Sequence, residues 1–503
     1  MTATATQTQT PGETRELKRT LNTPKIVFLI VAAAAPLGAM VATVPLAFAI
    51  GSGPGVPAMF VFAGLTLLCF SVGYAAMGRQ IVNAGGFYTY LSSGLGKPVA
   101  VAGGFVAIIA YNAIAIGVLG AFGYFAQTIA ASHGLNLPWE IWALAGAVVM
   151  GFLGYRQVDL SAKVLMLLMI GEIGVLLALN LAVIVHKGGA ALPPVSFSPG
   201  VALGAGAGVA MMFAFASFTG FESAALYGEE AKNPRRSVPV ATYIAVILIS
   251  SFYALTSWAA VGGVGPDQVR GTATKQLGNL FFLLSDRYMN PVATDVMQAL
   301  LCTSLFAAML ALHNAANRYV YVLGREGVLP RWFGVVHGKH RSPHRASLVL
   351  TIVSVVVAGC FALGGLDPYT GLASSMLGLG TLGIILLQGS AAVSVIAYFR
   401  KRPERHWWRT LIAPLLGAAG LTTAVVLLVL NYSLLTGTST ALVNRLPWLY
   451  VVLAVAGVGY AHWMRRTHPN RYRNLASVHL RSDTDAPEAV GTVDVEAGAL
   501  AER

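Results

Sequence analysis

Long apolar runs alternate along the chain with short polar connections. A membrane-crossing helix needs roughly 20 mostly apolar residues. Twelve runs qualify: 26–50, 56–77, 98–129, 139–155, 161–186, 199–227, 238–262, 292–323, 346–363, 372–399, 410–435 and 447–464. An even number of crossings puts both termini on one side. The stretch LGNLFFLLSD, 277–286, is too short to cross and reads as an amphipathic helix lying on the surface. Residues 1–20 and the acidic, aromatic-poor stretch after Arg473 read as disordered.

Composition agrees with an all-α polytopic membrane protein. Of 503 residues, 56% are hydrophobic and 11% charged, where a soluble domain is about a quarter charged. The net charge of +13 would suggest a nucleic-acid partner in a soluble protein. Here it falls in short loops such as KNPRR, GKHRSPHR, RKRPERHWWR and MRRTHPNRYR. With a cytoplasmic N-terminus, about 28 of the 33 Lys and Arg lie on or near the inner side, the positive-inside bias. No run has the form of a zinc finger, a basic helix or an aromatic RNA platform, which sets nucleic acid aside. Cys69, Cys302 and Cys360 are far apart, lack metal-ligand spacing and read as small buried hydrophobes. No metal or cofactor is expected. The first apolar run is too long for the core of a cleavable signal peptide.

Two spans carry helix breakers in mid-membrane. The first contains AAAAPLGAM, with Pro36 and Gly38, and the sixth contains FASFTGFESA, with Thr219 and Gly220. Proline removes a helical hydrogen bond and glycine eases unwinding. Non-helical backbone at this depth is tolerated only beside protein or a watery cavity. Either break alone fits a packing kink equally well. As a pair five spans apart, in halves of odd span number that insert upside down, they are the pointer to a secondary transporter. Free N–H groups at such breaks suit a carboxylate and free carbonyls an ammonium.

Three segments carry a resemblance: NAGGFYTYLSSGLGKPVAVAGGF (83–105), FTGFESAALYGEEAKNPRRSVPVA (218–241) and NAANRYVYVLGREGVLP (314–330). Together they resemble the amino acid–polyamine–organocation permease superfamily over about ten of the twelve spans. The resemblance implies a 5+5 inverted-repeat, leucine-transporter-like bundle with two peripheral helices, moving amino acids or related amines by proton or sodium coupling or by exchange. Residues 1–24 would then be a cytoplasmic tail, 25–187 the first repeat, 188–402 the second, 403–466 the peripheral helices and 467–503 a disordered cytoplasmic tail. Gly324 and Gly327 read as termination signals of span eight. The chain departs from the pattern at two places. Many relatives have Gly-Ser-Gly at the first break, where this chain has APLGA (35–39); its own GSG, 51–53, lies at the outer end of the span. Some relatives have a lysine in mid-span five, where this chain has Glu172.

An ionisable side chain at mid-membrane costs about 3 kcal/mol or more, so each is a functional candidate. Glu222 follows the second break, placed either to bind and release a proton or to pin the unwound segment through backbone N–H groups. Glu172 is either a second proton site, an attractor of substrate amine, or a partner for a hydroxyl on a neighbouring helix. Two acids without a basic partner at that depth favour cationic or zwitterionic ligands. His313 reads as a structural hydrogen bonder, Thr303 and Ser304 as weak sodium-site candidates, and Asp367 as a solvated loop residue.

The sequence thus predicts a permease of the plasma membrane for a small-molecule amino acid or amine, with the proton as second partner and the bilayer as solvent. The substrate residues expected are Ala35, Leu37, Gly38 and Ala39 for a carboxylate, and Phe215, Ser217, Phe218, Thr219 and Gly220 around the amine. Glu222 and Glu172 are the expected proton carriers. An exchanger or sodium symporter is the rival, with a polyamine or ethanolamine-type permease behind it. No HExxH and no nucleophile elbow in context points to an enzyme.

Overall fold

The computed structural model describes residues 21–81, 86–156, 162–223, 231–338, 340, 342–436 and 440–476. Helices dominate. In chain order they are α1 (Thr23–Ala33), α2 (Pro36–Ile50), α3 (Val56–Gly78), α4 (Gly86–Leu95), α5 (Lys97–Ser132), α6 (Trp139–Arg156) and α7 (Ala162–Lys187). Then follow α8 (Pro199–Ala202), α9 (Ala207–Ser217), α10 (Pro234–Val264), α11 (Val269–Gln276), α12 (Leu280–Tyr288), α13 (Pro291–Arg325) and α14 (His344–Leu363). The last are α15 (Ser374–Phe399), α16 (Ala413–Leu430), α17 (Tyr432–Thr436), α18 (Ala441–Asn444), α19 (Trp448–Thr467) and α20 (Pro469–Asn474).

Among the described residues nine helices are long and apolar enough to cross a membrane, which makes this a polytopic membrane protein. At the other three expected spans, α6 and α19 are helical over 18 and 20 residues, while the sixth span is divided and α9 covers only 11.

The 36-residue α5 is the central post, packed by α6, α13, α15 and α19. Lipid offers no hydrophobic drive between helices, so contact depends on small residues that let backbones approach. Where α3 meets α16, a Cβ on Gly417 would sit 2.8 Å from the Phe70 nitrogen. Outward-facing side chains such as Leu167, Leu181 and Val185 on α7 are exposed, as suits a lipid contact.

Four expectations change. The 277–286 helix does not merely lie on the surface: Leu280, Phe281, Phe282 and Leu284 are buried, and Phe282 meets Phe125 edge-on at 6.2 Å. Gly324 does not end a helix; it is inside α13, where a Cβ would lie 2.7 Å from the Gly334 nitrogen, while Gly327, at φ 76°, follows the helix end. Cys360 is exposed and Cys69 and Cys302 half-buried, because their helices turn those faces outward. Residues 467–476 are ordered: α20 docks back, Lys97 Nζ donates to the Tyr472 and Arg473 carbonyls at 3.0 and 2.6 Å, and Leu475 is buried. The tails 1–20 and 477–503 and loop residues 82–85 and 224–230 lie outside the described residues.

Candidate functional site

The first span is interrupted at Ala34–Ala35, where Ala35 takes the left-handed conformation (φ 44°, ψ 69°) between α1 and α2. The cause is Pro36, which has no N–H to continue the ladder from α1. Gly38 is already inside α2. Its missing Cβ serves packing, since that atom would sit 3.2 Å from Ser304 Oγ and 3.3 Å from Leu305. The sixth span stops at Ser217, turns through Phe218–Gly220, and Gly220 has φ 110°. The two interruptions touch: a Cβ on Gly220 would lie 2.7 Å from the Ala33 carbonyl oxygen.

Each interruption is held by a glutamate. Leu37 N–H donates to Glu172 Oε2 at 3.3 Å. Gly38 N–H donates to Ser304 Oγ at 3.2 Å, and the Ser304 hydroxyl donates to the same Glu172 oxygen at 2.8 Å. Across the break, Tyr253 O–H donates to the Ala34 carbonyl at 3.2 Å. At the second interruption Gly220 N–H donates to Glu222 Oε2 at 3.0 Å, and Tyr111 O–H donates to Glu222 Oε1 at 2.8 Å. Both carboxylates are buried. An unpaired N–H costs several kcal/mol in hydrocarbon, so these contacts are what let both helices open.

Two cavities adjoin the breaks. The smaller, about 60 Å³, is lined by Ala35, Gly38, Ala39, Thr43, Ser217 and Thr219 among others. Thr43 and Ser217 hydroxyls are 2.9 Å apart and each also reaches a carbonyl of its own helix. The larger cavity, about 210 Å³, is lined by Glu222, Gly220, Tyr74, Tyr111, Tyr319 and Arg318 among others. Tyr111 stacks on Tyr319 at 5.7 Å, and the Tyr319 hydroxyl accepts from Phe87 N–H of α4 at 3.3 Å. Ala33 borders both cavities.

The structure therefore brings together Ala35, Gly38, Ala39, Ser217 and Thr219 at one cavity and Gly220 with Glu222 at the other. Leu37 is engaged by Glu172. Phe215 and Phe218 are buried and line neither cavity; Phe218 packs edge-on against Tyr253 at 5.8 Å. His313 is fully buried with Nε2 3.0 Å from Ser347 Oγ. Asp367 is exposed and caps the turn Pro368–Ala373 that leads into α15, accepting from Tyr369 and Thr370 N–H at 2.9 and 2.7 Å. Sequence reasoning missed Thr43, Tyr111, Tyr253 and Tyr319. A tyrosine or threonine in a span carries no charge to flag it, and only the fold shows which ones face a break.

Interrupted helices facing cavities in a polytopic membrane protein are the architecture of a solute permease. The chain belongs to the family described as Amino acid permease, whose pattern it matches over residues 21–456. It is 27% identical over 416 residues to the branched-chain amino acid permease BcaP of Bacillus subtilis, covering 78% of this chain and 84% of that one. It is 25% identical over 408 residues to the methylthioribose transporter of the same organism, with the same coverage of 78% and 84%. Against BcaP of Lactococcus lactis it is 24% identical over 356 residues, 66% of this chain and 72% of that one.

Proposed function

We propose that this chain is a secondary active permease that imports an amino acid or a related amine through the plasma membrane, coupled to protons. The observation that carries the reading is the meeting of two interrupted helices, Gly220 against Ala33, beside a small cavity. The relatives' names support a small organic solute, and one of them, a methylthioribose transporter, extends the range beyond amino acids. In this reading the chain crosses twelve times with both termini cytoplasmic. Residues 25–187 and 188–402 form two inverted five-helix repeats, and 403–466 the peripheral pair. Spans one, two, six and seven rock against three, four, eight and nine.

The ligand sits between the breaks. The Ala35, Leu37, Gly38 and Ala39 segment faces its carboxylate or equivalent, and Ser217 and Thr219 flank its amine, with Gly220 at the adjoining cavity and Phe215 and Phe218 buried in the same segment. Glu222 carries the coupling proton and Glu172 is the second acid of the pathway. The test is a thermal-shift screen of amino acids, polyamines and ethanolamine-like amines, followed by uptake of the best ligand into proteoliposomes. Accumulation should follow an imposed pH gradient without sodium. Accumulation that survives loss of the pH gradient but needs sodium would replace the proton with sodium, and mere equilibration would overturn active transport.

A further inference from the structure

The N-terminus of α2 is where a ligand carboxylate would be met by free amide groups. Every amide there is accounted for by the protein itself. Ala35 N–H bonds the Ala32 carbonyl at 3.1 Å and Ala39 N–H the Ala35 carbonyl at 2.8 Å. Pro36 has no N–H. Leu37 N–H is taken by Glu172 at 3.3 Å, and Gly38 N–H by Ser304 at 3.2 Å, which is itself tied to Glu172 at 2.8 Å. The other break is closed in the same way, with Gly220 N–H on Glu222 at 3.0 Å. Glu172 lines neither cavity, but its carboxylate already engages the amides an incoming carboxylate would need.

What the breaks leave over is acceptor capacity. Because Leu37 N–H turns to Glu172, the Ala33 carbonyl loses its helical donor, and Ala33 borders both cavities. Thr219 Oγ1 is the second open group. The residue is 8% exposed, lines the small cavity, and its hydroxyl has no partner among the described residues. The rest of that wall is largely alanine and leucine. A ligand carboxylate would find the α2 amides already taken and the Thr219 hydroxyl as its one donor, whereas an ammonium would find two acceptors, the Ala33 carbonyl and the Thr219 oxygen.

Resting on the transport reading above, we propose that Glu172 is a specificity-determining residue: it stands in for the ligand's carboxylate, and the pocket selects small primary amines that have none. The ammonium is held by the Ala33 carbonyl and the Thr219 hydroxyl, and the short alkyl body by the alanine wall.

Matched pairs that differ only by a carboxylate test this: leucine against 3-methylbutylamine, and serine against ethanolamine, measured by calorimetric binding to the purified full chain. In the wild type the amine of at least one pair should bind about tenfold tighter than its amino acid, the cost of burying a carboxylate short of hydrogen-bond donors. Glu172→Ala and, separately, Ser304→Ala free amides of α2 and should each shift the ratio toward the amino acid. Thr219→Val should weaken the amine about tenfold, the worth of one hydrogen bond to a charged group. A wild type that binds the amino acid at least as tightly in every pair overturns the proposal while leaving transport intact. An unchanged ratio in both amide-freeing variants also overturns it. Binding of neither member of any pair overturns this proposal, and if the wider screen is equally blank, the transport reading with it.

Discussion

Gly220→Ala is the sharpest perturbation of the paired breaks. The residue has φ 110°, a region that side chains rarely adopt, and its new Cβ would lie 2.7 Å from the Ala33 oxygen, 3.0 Å from its carbon and 3.3 Å from its Cβ. Strain of that backbone kind costs about 1–3 kcal/mol. The 2.7 Å contact adds to it, because its partner is backbone and cannot swing away. Taking about 3 kcal/mol in all, this arrangement of the breaks loses roughly a hundredfold in population. The expected result is a chain that purifies as a single folded species by size exclusion yet transports about a hundredfold more slowly in proteoliposomes. Ala33→Gly supplies the control. It removes only the 3.3 Å contact and leaves the carbonyl, so the double variant should stay slow. Uptake by Gly220→Ala within about twofold of wild type would refute the reasoning, since twofold is well under 1 kcal/mol. Rescue by Ala33→Gly would show that side chains, not backbones, define the meeting point.

Three further outcomes follow from named contacts. Ser217→Leu should abolish the thermal shift by the best ligand, because the larger side chain fills a cavity of about 60 Å³; a retained shift would place the ligand elsewhere. Glu222→Gln should abolish proton-driven uptake while leaving counterflow largely intact, with uptake rates against pH as the readout; an unchanged pH profile removes Glu222 from coupling. Glu326 binds Tyr88 O–H at 2.5 Å and Ala476 N–H at 3.1 Å, so Glu326→Ala should release residues 469–476. At about 2 kcal/mol for bonds to a charged acceptor, proteolysis of that segment should quicken roughly thirtyfold, and an unchanged cleavage rate would show that other contacts hold it.

The architecture was legible where it depends on one property read over many residues. Twenty apolar residues in a row make a span whatever their order, so the long apolar helices follow from composition alone. The breaks were legible too, because Pro36 and Gly220 act on their own backbone. What each break is bonded to was not. Leu37 meets Glu172 across 135 positions, and Tyr111 meets Glu222 across 111. Nothing local marks such a pairing, and the sequence left Glu222 two open roles and Glu172 three. The contacts to Ser304 and Gly220 supply the structural role expected of each and leave the proton role open alongside it. The docked α20 was hidden by the opposite error: Arg471 and Arg473 make 467–476 look solvated, while the apolar signs of an anchor, Leu475 and Ala476, both buried, are few and lie at its end.

A broken helix in lipid has to satisfy its open amides at every moment, including when no ligand is bound. A permease that relied on its ligand to do so would pay for each empty return with several unpaired N–H groups. Here the obligation falls on resident acids, one per break, and each acid is tied to a second element: Glu172 to α13 through Ser304, and Glu222 to α5 through Tyr111. The α5 link continues through the Tyr111–Tyr319 stack to Phe87 on α4. Any change in the charge of Glu222 is therefore felt at once by the second break, by α5 and by α4. Under the proposed proton role of Glu222, the group that stabilises the second break is also the one that ties it to α5, so that proton and the geometry of the break cannot change independently.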